Sequence, residues 1–231
     1  MTGTLYGTLY GLGVGPGDPE LVTLKALRIL RACPVIAYLA ANESESFARS
    51  IVAEHLPGGQ TELAIRIDMG APASEGQAIY DRAAEDLAVH LAAGRDVAMP
   101  CEGDPFFYGS FQYLFTRLAG RFPVRVVPGV SSLTATAAAV PVPLTSRNDV
   151  LTVLPAPLDA AVLKERLAAT DAAAVMKLGR HFDKVRAVID ELGLTARALY
   201  VERAGLPEQR VLPLAEVRPP VPYFSMILVP R

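Results

Sequence analysis

Apolar and polar positions change period repeatedly along the chain. Thr4–Leu12 alternates Leu and Tyr with small residues, the period of a strand. It carries a short tandem echo, Gly3–Tyr6 then Gly7–Tyr10, too brief for a repeat architecture. From Pro19 to about Cys33 the spacing turns helical, placing Leu21, Leu24, Leu27 and Leu30 on one face. Asp18 is the expected N-cap, Pro19 fits the first helical position, and Pro34 stops the run. A buried strand follows at Val35–Leu39, then a helix over Ser46–Leu56 and a short strand at Leu63–Ile67. Ser74-Glu-Gly-Gln77 reads as a capping box that opens a long helix to about Ala93, ended by Gly94. Asp96–Pro100 predicts a strand, Pro105 to about Leu118 a helix, and Val124–Val127 a strand, with a small-residue helix starting at Ser131 or Ser132.

Pro141–Arg147 has the composition of a crossing linker. Beyond it the pattern predicts a strand at Val150–Leu154, a helix at Leu158–Ala168, a strand at Ala173–Leu178 and a helix at Phe182–Leu192. Further strands are expected at Arg197–Glu202, Arg210–Pro213 and Tyr223–Val229. Strand and helix alternate in both parts, so the expected fold class is α/β, in two domains, 1–146 and 147–231. The run of strands near the end predicts a mixed sheet with hairpins in the second.

Composition narrows the function classes. Of 231 residues, 51% are hydrophobic and 20% charged, which excludes a disordered chain. Lys and Arg minus Asp and Glu is 22 − 24 = −2, with a pI near 6.0, so no general nucleic-acid or anionic-membrane binder is expected. The first positive side chain is Lys25, so the charged start of a secretory signal is missing. The longest uncharged stretch, Val126–Ser146, holds three prolines and suits no membrane span. Cys33 and Cys101 stand far apart, and His55, His90 and His181 have no metal-ligand spacing, so no metal site is expected. A cytoplasmic, reduced protein is the natural reading.

The loudest motif is the run Gly11-x-Gly13-x-Gly15-x-Gly17 after the first strand. Such a run lets backbone approach a ligand closely, or forms a tight strand-to-helix turn with no ligand. A dinucleotide fingerprint starting at Gly13 needs glycine at 18, where Asp18 would repel a pyrophosphate. Cys101-Glu-Gly-Asp-Pro105 ends another strand, repeats the Gly-Asp-Pro chemistry, and lies where α/β sheets place ligands. Glu102 and Asp104 could accept from hydroxyls or an ammonium; alternatively Asp104 only caps a helix, a role that Asn would keep. In Val127-Pro-Gly-Val-Ser-Ser132 the serines could donate to a carboxylate or merely cap. Lys25, Arg28, Arg49, Arg147, Lys177, Arg180 and His181 are surface charges by default, but would suit a polyanion if several converged.

Three ordered motifs, Val14-Gly-Pro-Gly-Asp-Pro-Glu-Leu-Val-Thr-Leu-Lys25, Glu102-Gly-Asp-Pro-Phe-Phe-Tyr108 and Val127-Pro-Gly-Val-Ser-Ser132, closely resemble those of the tetrapyrrole methyltransferases, which use S-adenosylmethionine in corrin and sirohaem synthesis. The resemblance covers essentially the whole chain. Pro143–Leu154, Met176–His181, Tyr200–Arg203 and Pro222–Val229 are similar to the branch that methylates precorrin-2 at C20.

This resemblance implies two α/β domains with the cofactor in the cleft between them, and a homodimer. It implies cofactor contacts at Pro16, Glu102, Gly103, Asp104, Phe107, Ser131, Ser132, Met176 and Ala204. Gly13 and Gly15 would line the substrate trough, and Arg147, Lys177 and Arg180 are the candidates for its carboxylates. In related uroporphyrinogen methylases glycine often matches Glu102, and the methionine is followed directly by glycine; here Lys177 and Leu178 intervene before Gly179.

The implied products are precorrin-3A and S-adenosylhomocysteine. The sulfonium is already an electrophile, so the protein would mainly align the methyl group with the attacking carbon. No catalytic residue is named. The alternatives are the cobalt-bound substrate of the anaerobic pathway, a family member acting on RNA or a modified protein histidine, and, from a different class, a non-catalytic tetrapyrrole carrier.

Overall fold

The computed structural model describes residues 5–41, 44–67 and 73–231, with side chains from residue 76 in the last stretch. Two compact units divide between Ser131 and Ser132. The capping box at Ser74 and the first half of the Gly3–Tyr10 echo fall at least partly outside the described residues.

The first unit is built on a sheet of β1 (Leu9–Gly13), β2 (Val35–Ala41), β3 (Thr61–Ile67), β4 (Val97–Cys101) and β5 (Val124–Val127). Their order is β3-β2-β4-β1-β5, and every pairing is parallel. All C-terminal ends therefore open onto one edge. Every residue of β4 is buried, as a parallel strand covered on both faces requires. Its alternate side chains serve two cores. Met99 joins Leu9, Val35, Leu87, Leu91, Phe111 and Leu114 beneath α3 (Ala73–Ala92) and α4 (Phe111–Leu118). Ala98 joins Leu12, Ile29, Leu30, Ile36 and Ile51 beneath α1 (Leu24–Ala32) and α2 (Phe47–Ile51). Gly94, at φ +74°, ends α3 as expected.

Both helices expected to begin at a Gly-Asp-Pro triplet begin later. Asp18 Oδ1 accepts from Glu20 N–H at 2.8 Å, and Asp104 Oδ1 accepts from Phe106 N–H at 2.9 Å. Each carboxylate thus closes its own turn, and the shared chemistry of the two triplets is real. After Asp18 only a 3-10 turn forms, Pro19–Leu21, before Val22 goes extended. Thr23 then caps α1, its hydroxyl accepting from Ala26 N–H at 3.2 Å. The restart rotates the buried face to Ala26, Ile29 and Leu30 and leaves Leu24 exposed. After Asp104, Tyr108 at φ +57° interrupts the chain and α4 starts at Phe111.

The second unit opens with α5 (Ser132–Ala139). Its sheet contains β6 (Leu151–Pro155), β7 (Ala172–Met176), β8 (Leu199–Glu202), β9 (Arg210–Pro213) and β10 (Ser225–Val229), in the order β6-β7-β10-β8-β9. β6 and β7 are parallel; β10 runs antiparallel to both β7 and β8, and β8–β9 is an antiparallel hairpin. This is the mixed sheet predicted. α6 (Ala160–Ala168) and α7 (Phe182–Glu191) cover one face through Leu163, Leu167, Val185 and Ile189. On the other face Val140, with Leu133 and Ala137 of α5, packs on Ala174, Val201, Met226 and Leu228. That packing is why the units divide at 131 rather than at the proline-rich linker ending at 146: α5 completes the second core.

Candidate functional site

Three loops leave the C-terminal ends of β1, β4 and β5 and meet through their backbones. Val14 N–H donates to Cys101 O at 3.0 Å and Gly103 N–H to Gly15 O at 2.7 Å, making an antiparallel bridge between Gly15 and Gly103. Gly15 and Gly103 are buried at φ +79° and +62°, a region glycine enters freely. Side chains have no room here. A Cβ at Gly13 would stand 2.4 Å from Gly129 N, and one at Gly129 would stand 2.1 Å from Gly103 O. Asp104 fastens the third loop, its Oδ2 accepting from Gly129 N–H at 3.1 Å.

Glycine at 13 and 129 is therefore demanded by the protein's own loop packing. The charge of the loops points to ligand chemistry. Residues 13–18, 101–110 and 127–132 contain Asp18, Glu102 and Asp104 and no Lys, Arg or His. Such a set repels a phosphate and suits a cation. Glu102 is exposed by area, yet protein near its carboxyl strips part of its hydration and raises its pKa; a hydrogen bond from Ala48 N–H offsets part of the rise. Burial first, and Glu102 next, push the Cys101 thiol up, so it is no thiolate nucleophile. Pro16 and Phe107 are half-buried beside these loops, and Phe107 packs edge-on to Tyr108 at 5.1 Å.

Gly13, Gly15, Pro16, Glu102, Gly103, Asp104 and Phe107 are thus gathered at one edge of the first unit. Ser131 closes that unit and Ser132 opens the next. Met176 ends β7, Lys177 and Arg180 follow it, and Ala204 follows β8, at one end of the second sheet. Arg147, exposed at φ +49°, instead lies in the loop entering β6, which runs parallel to β7, so it approaches the strands from their N-terminal ends. Arg49 is engaged within the protein: it grips Glu62 with two hydrogen bonds of 2.7 and 2.8 Å, and Tyr38 donates to the same carboxylate at 2.9 Å.

Sequence reading missed a polar pocket of about 370 Å³ lined by Tyr38, Ser46, Arg49, Glu62 and Arg66. Its one sequence signal is that Glu62 and Arg66, four apart, share an exposed face of β3; the strand expected at Leu63–Ile67 left Glu62 out. It also missed the left-handed backbone of Arg203, at φ +53°.

The family model for tetrapyrrole (corrin/porphyrin) methylases matches residues 8–218. The chain belongs to this family. A precorrin-2 C(20)-methyltransferase from a Sinorhizobium species is 41% identical over 100% of this chain and 98% of its own. A cobalt-precorrin-2 C(20)-methyltransferase from Salmonella typhimurium is 34% identical, covering 96% of both chains. The cobalamin biosynthesis protein CobIJ of Mycobacterium tuberculosis is 46% identical over 97% of this chain, which spans only 46% of that protein's length. Among solved structures, uroporphyrin-III C-methyl transferase from Thermus thermophilus, complexed with S-adenyl homocysteine, aligns over 96% of this chain and 97% of its own at TM-score 0.68 and 28% identity. Among the methylase's described residues, no helix is long and apolar enough to cross a membrane.

Proposed function

We propose that this methylase transfers the methyl group of S-adenosylmethionine to C20 of precorrin-2, giving precorrin-3A and S-adenosylhomocysteine in cobalamin biosynthesis. The observation that carries this is the 41% identity, along the full length of both chains, to a precorrin-2 C(20)-methyltransferase. The loops fit the cofactor: three acids and no base suit a ligand bearing an ammonium and a sulfonium, and a phosphate-bearing cofactor would meet only repulsion.

When bound, S-adenosylmethionine supplies an electrophilic methyl group that needs no further activation. The chain's residues supply binding and alignment. Glu102 is the accessible carboxylate for the ribose hydroxyls or the ammonium. Asp104 holds Gly129 and its own turn in place, so the backbone groups around Gly103 are fixed before the ligand arrives. Pro16, Phe107, Ser131, Ser132, Met176 and Ala204 are the further proposed cofactor contacts. Arg147, Lys177 and Arg180 are the proposed contacts for substrate carboxylates. We further propose a homodimer in the cytoplasm, a setting in keeping with two free, buried cysteines.

Incubation with labelled S-adenosylmethionine and precorrin-2, with and without cobalt, tests the reading. Label in the metal-free macrocycle with equimolar S-adenosylhomocysteine is expected. Label only in the cobalt complex reassigns the substrate to that of the Salmonella relative. No label in either overturns the enzyme reading in favour of a tetrapyrrole carrier.

A further inference from the structure

One end of the second sheet carries features that neither core packing nor cofactor binding accounts for. Lys177 follows β7 at φ +61° and Arg203 follows β8 at φ +53°, both in the left-handed region that costs a non-glycine residue free energy. The register fixes their relation. Met176 and Val201 both stand opposite Met226 and Glu202 stands opposite Ser225, so β7 and β8 end within one residue of each other on either side of the start of β10. The chain entering β10 there presents two large aromatic residues to solvent. Tyr223 is 50% exposed and Phe224 47%, with ring centroids 5.6 Å apart at 74°.

The two basic segments hold this aromatic pair from both sides. Arg203 N–H donates to Phe224 O at 2.9 Å. Across β10, a Cβ on Gly179 would stand 3.7 Å from Tyr223 Cα, so the Lys177–Arg180 turn lies against Tyr223. Glu202, the acid next to Arg203, does not cancel this charge: it is buried, accepts from Tyr200 at 2.5 Å, and pairs with Arg210 at 3.1 Å. His181 adds no cation at neutral pH, because partial burial, then Lys184 and Arg180, hold its pKa below the usual imidazole value.

We infer that Tyr223 and Phe224 form a platform for the conjugated macrocycle of the substrate, and that Lys177 and Arg203 flank it to bind the peripheral carboxylates. One exposed ring face beside the edge of a second ring, bordered by cations, matches a flat, polyanionic ligand and would hold a neutral or cationic one poorly. The left-handed backbone at both basic positions is kept because it turns each side chain out of the strand's alternation. This rests on the proposed tetrapyrrole substrate and adds Arg203, Tyr223 and Phe224 to its recognition.

The test uses the full chain and uroporphyrin, a polycarboxylated porphyrin, followed by quenching of its fluorescence, with the dicarboxylate mesoporphyrin as comparison. Tyr223→Ala/Phe224→Ala and Arg203→Ala are each expected to weaken uroporphyrin binding by about tenfold or more, while Arg166→Ala on the exposed face of α6 leaves it unchanged. Arg203→Gly separates recognition from structure. It should keep or raise Tm by relieving the backbone, yet weaken binding as much as Arg203→Ala. Arg203→Lys should recover part of the affinity. Binding within twofold of wild type in the aromatic double variant and in Arg203→Gly overturns the inference, as does failure of the wild type to prefer uroporphyrin over mesoporphyrin. Methyl transfer to precorrin-2 on the same preparations reports the function separately. Transfer with unchanged KM in the variants removes the platform and leaves the activity, whereas no transfer by the wild type removes the activity whatever the titrations give.

Discussion

Asp104 accepts the Gly129 N–H at 3.1 Å with one carboxylate oxygen and the Phe106 N–H at 2.9 Å with the other. One side chain thus closes its own turn and clamps the loop after β5. Asn can mimic only one of these bonds, since its amide NH₂ would face the Gly129 N–H donor to donor. Asp104→Asn is therefore expected to destabilise by about 2 kcal/mol, a fall in Tm of about 4–8 °C. Thermal unfolding of Asp104→Asn beside Asp104→Ala checks this; an Asn variant as stable as wild type would show that the clamp contributes nothing.

Gly129→Ala probes the seam itself. Its Cβ would meet Gly103 O at 2.1 Å, and that atom is backbone, so no rotamer change relieves it. The loops must part, at about 3 kcal/mol. Gly58→Ala is the control: open space surrounds Gly58, although its φ of +81° adds strain of its own, so only the excess loss at Gly129 reports the seam. Circular dichroism melts of the two variants should place Gly129→Ala clearly lower.

Glu102 sets a pH dependence. Desolvation raises its pKa in the folded protein, so between the ordinary carboxylate value and that raised value the folded state binds more protons than the unfolded. Its contribution to stability is therefore lost as pH rises through that window, and Glu102→Gln should flatten the profile there. Affinity for S-adenosylmethionine should run the other way, tightening as Glu102 ionises. Calorimetric titrations from acid to neutral pH should show a smaller slope in Glu102→Gln; an equal slope in both proteins would remove Glu102 from the site.

The rotated face of α1 predicts unequal costs for two leucines in one short helix. Leu24 is exposed and Leu30 is buried. Leu24→Ala should stay within about 0.5 kcal/mol of wild type, and Leu30→Ala should cost about 2–5 kcal/mol. Urea unfolding curves at matched m-values measure both.

That same helix shows where local pattern runs out. The leucine spacing from Leu21 to Leu30 is helical, and the strands, Gly94 and the β8–β9 hairpin were legible for the same reason: each depends on neighbours within a few residues. The restart at Leu24 depends on Thr23 competing with Pro19 for the role of first turn, and both spacings satisfy a helix. α5 could not be assigned to its unit from sequence, because its weakly patterned small residues pack on β10, far away in the chain. The candidate site was legible as motifs. The use of Asp104 by Gly129 and the neighbouring ends of β7 and β8 are long-range facts of register that no local spacing encodes.

The position of β1 in its sheet has a consequence for synthesis. It precedes β2 and β3 in the chain, yet its two partners are β4 and β5, and Thr8 N–H is satisfied by Asp96, 88 residues later. β2 pairs early with β3, but the middle of the sheet stays open until β4 has been made through Cys101, and β5 adds the far edge only after that. Contacts of such sequence separation close late and slowly. The nascent first unit therefore leaves Leu9 and Leu12 without a sheet partner until Cys101 has been made. The second unit closes late as well, because β10, which follows all its partners in the chain, stands between β7 and β8.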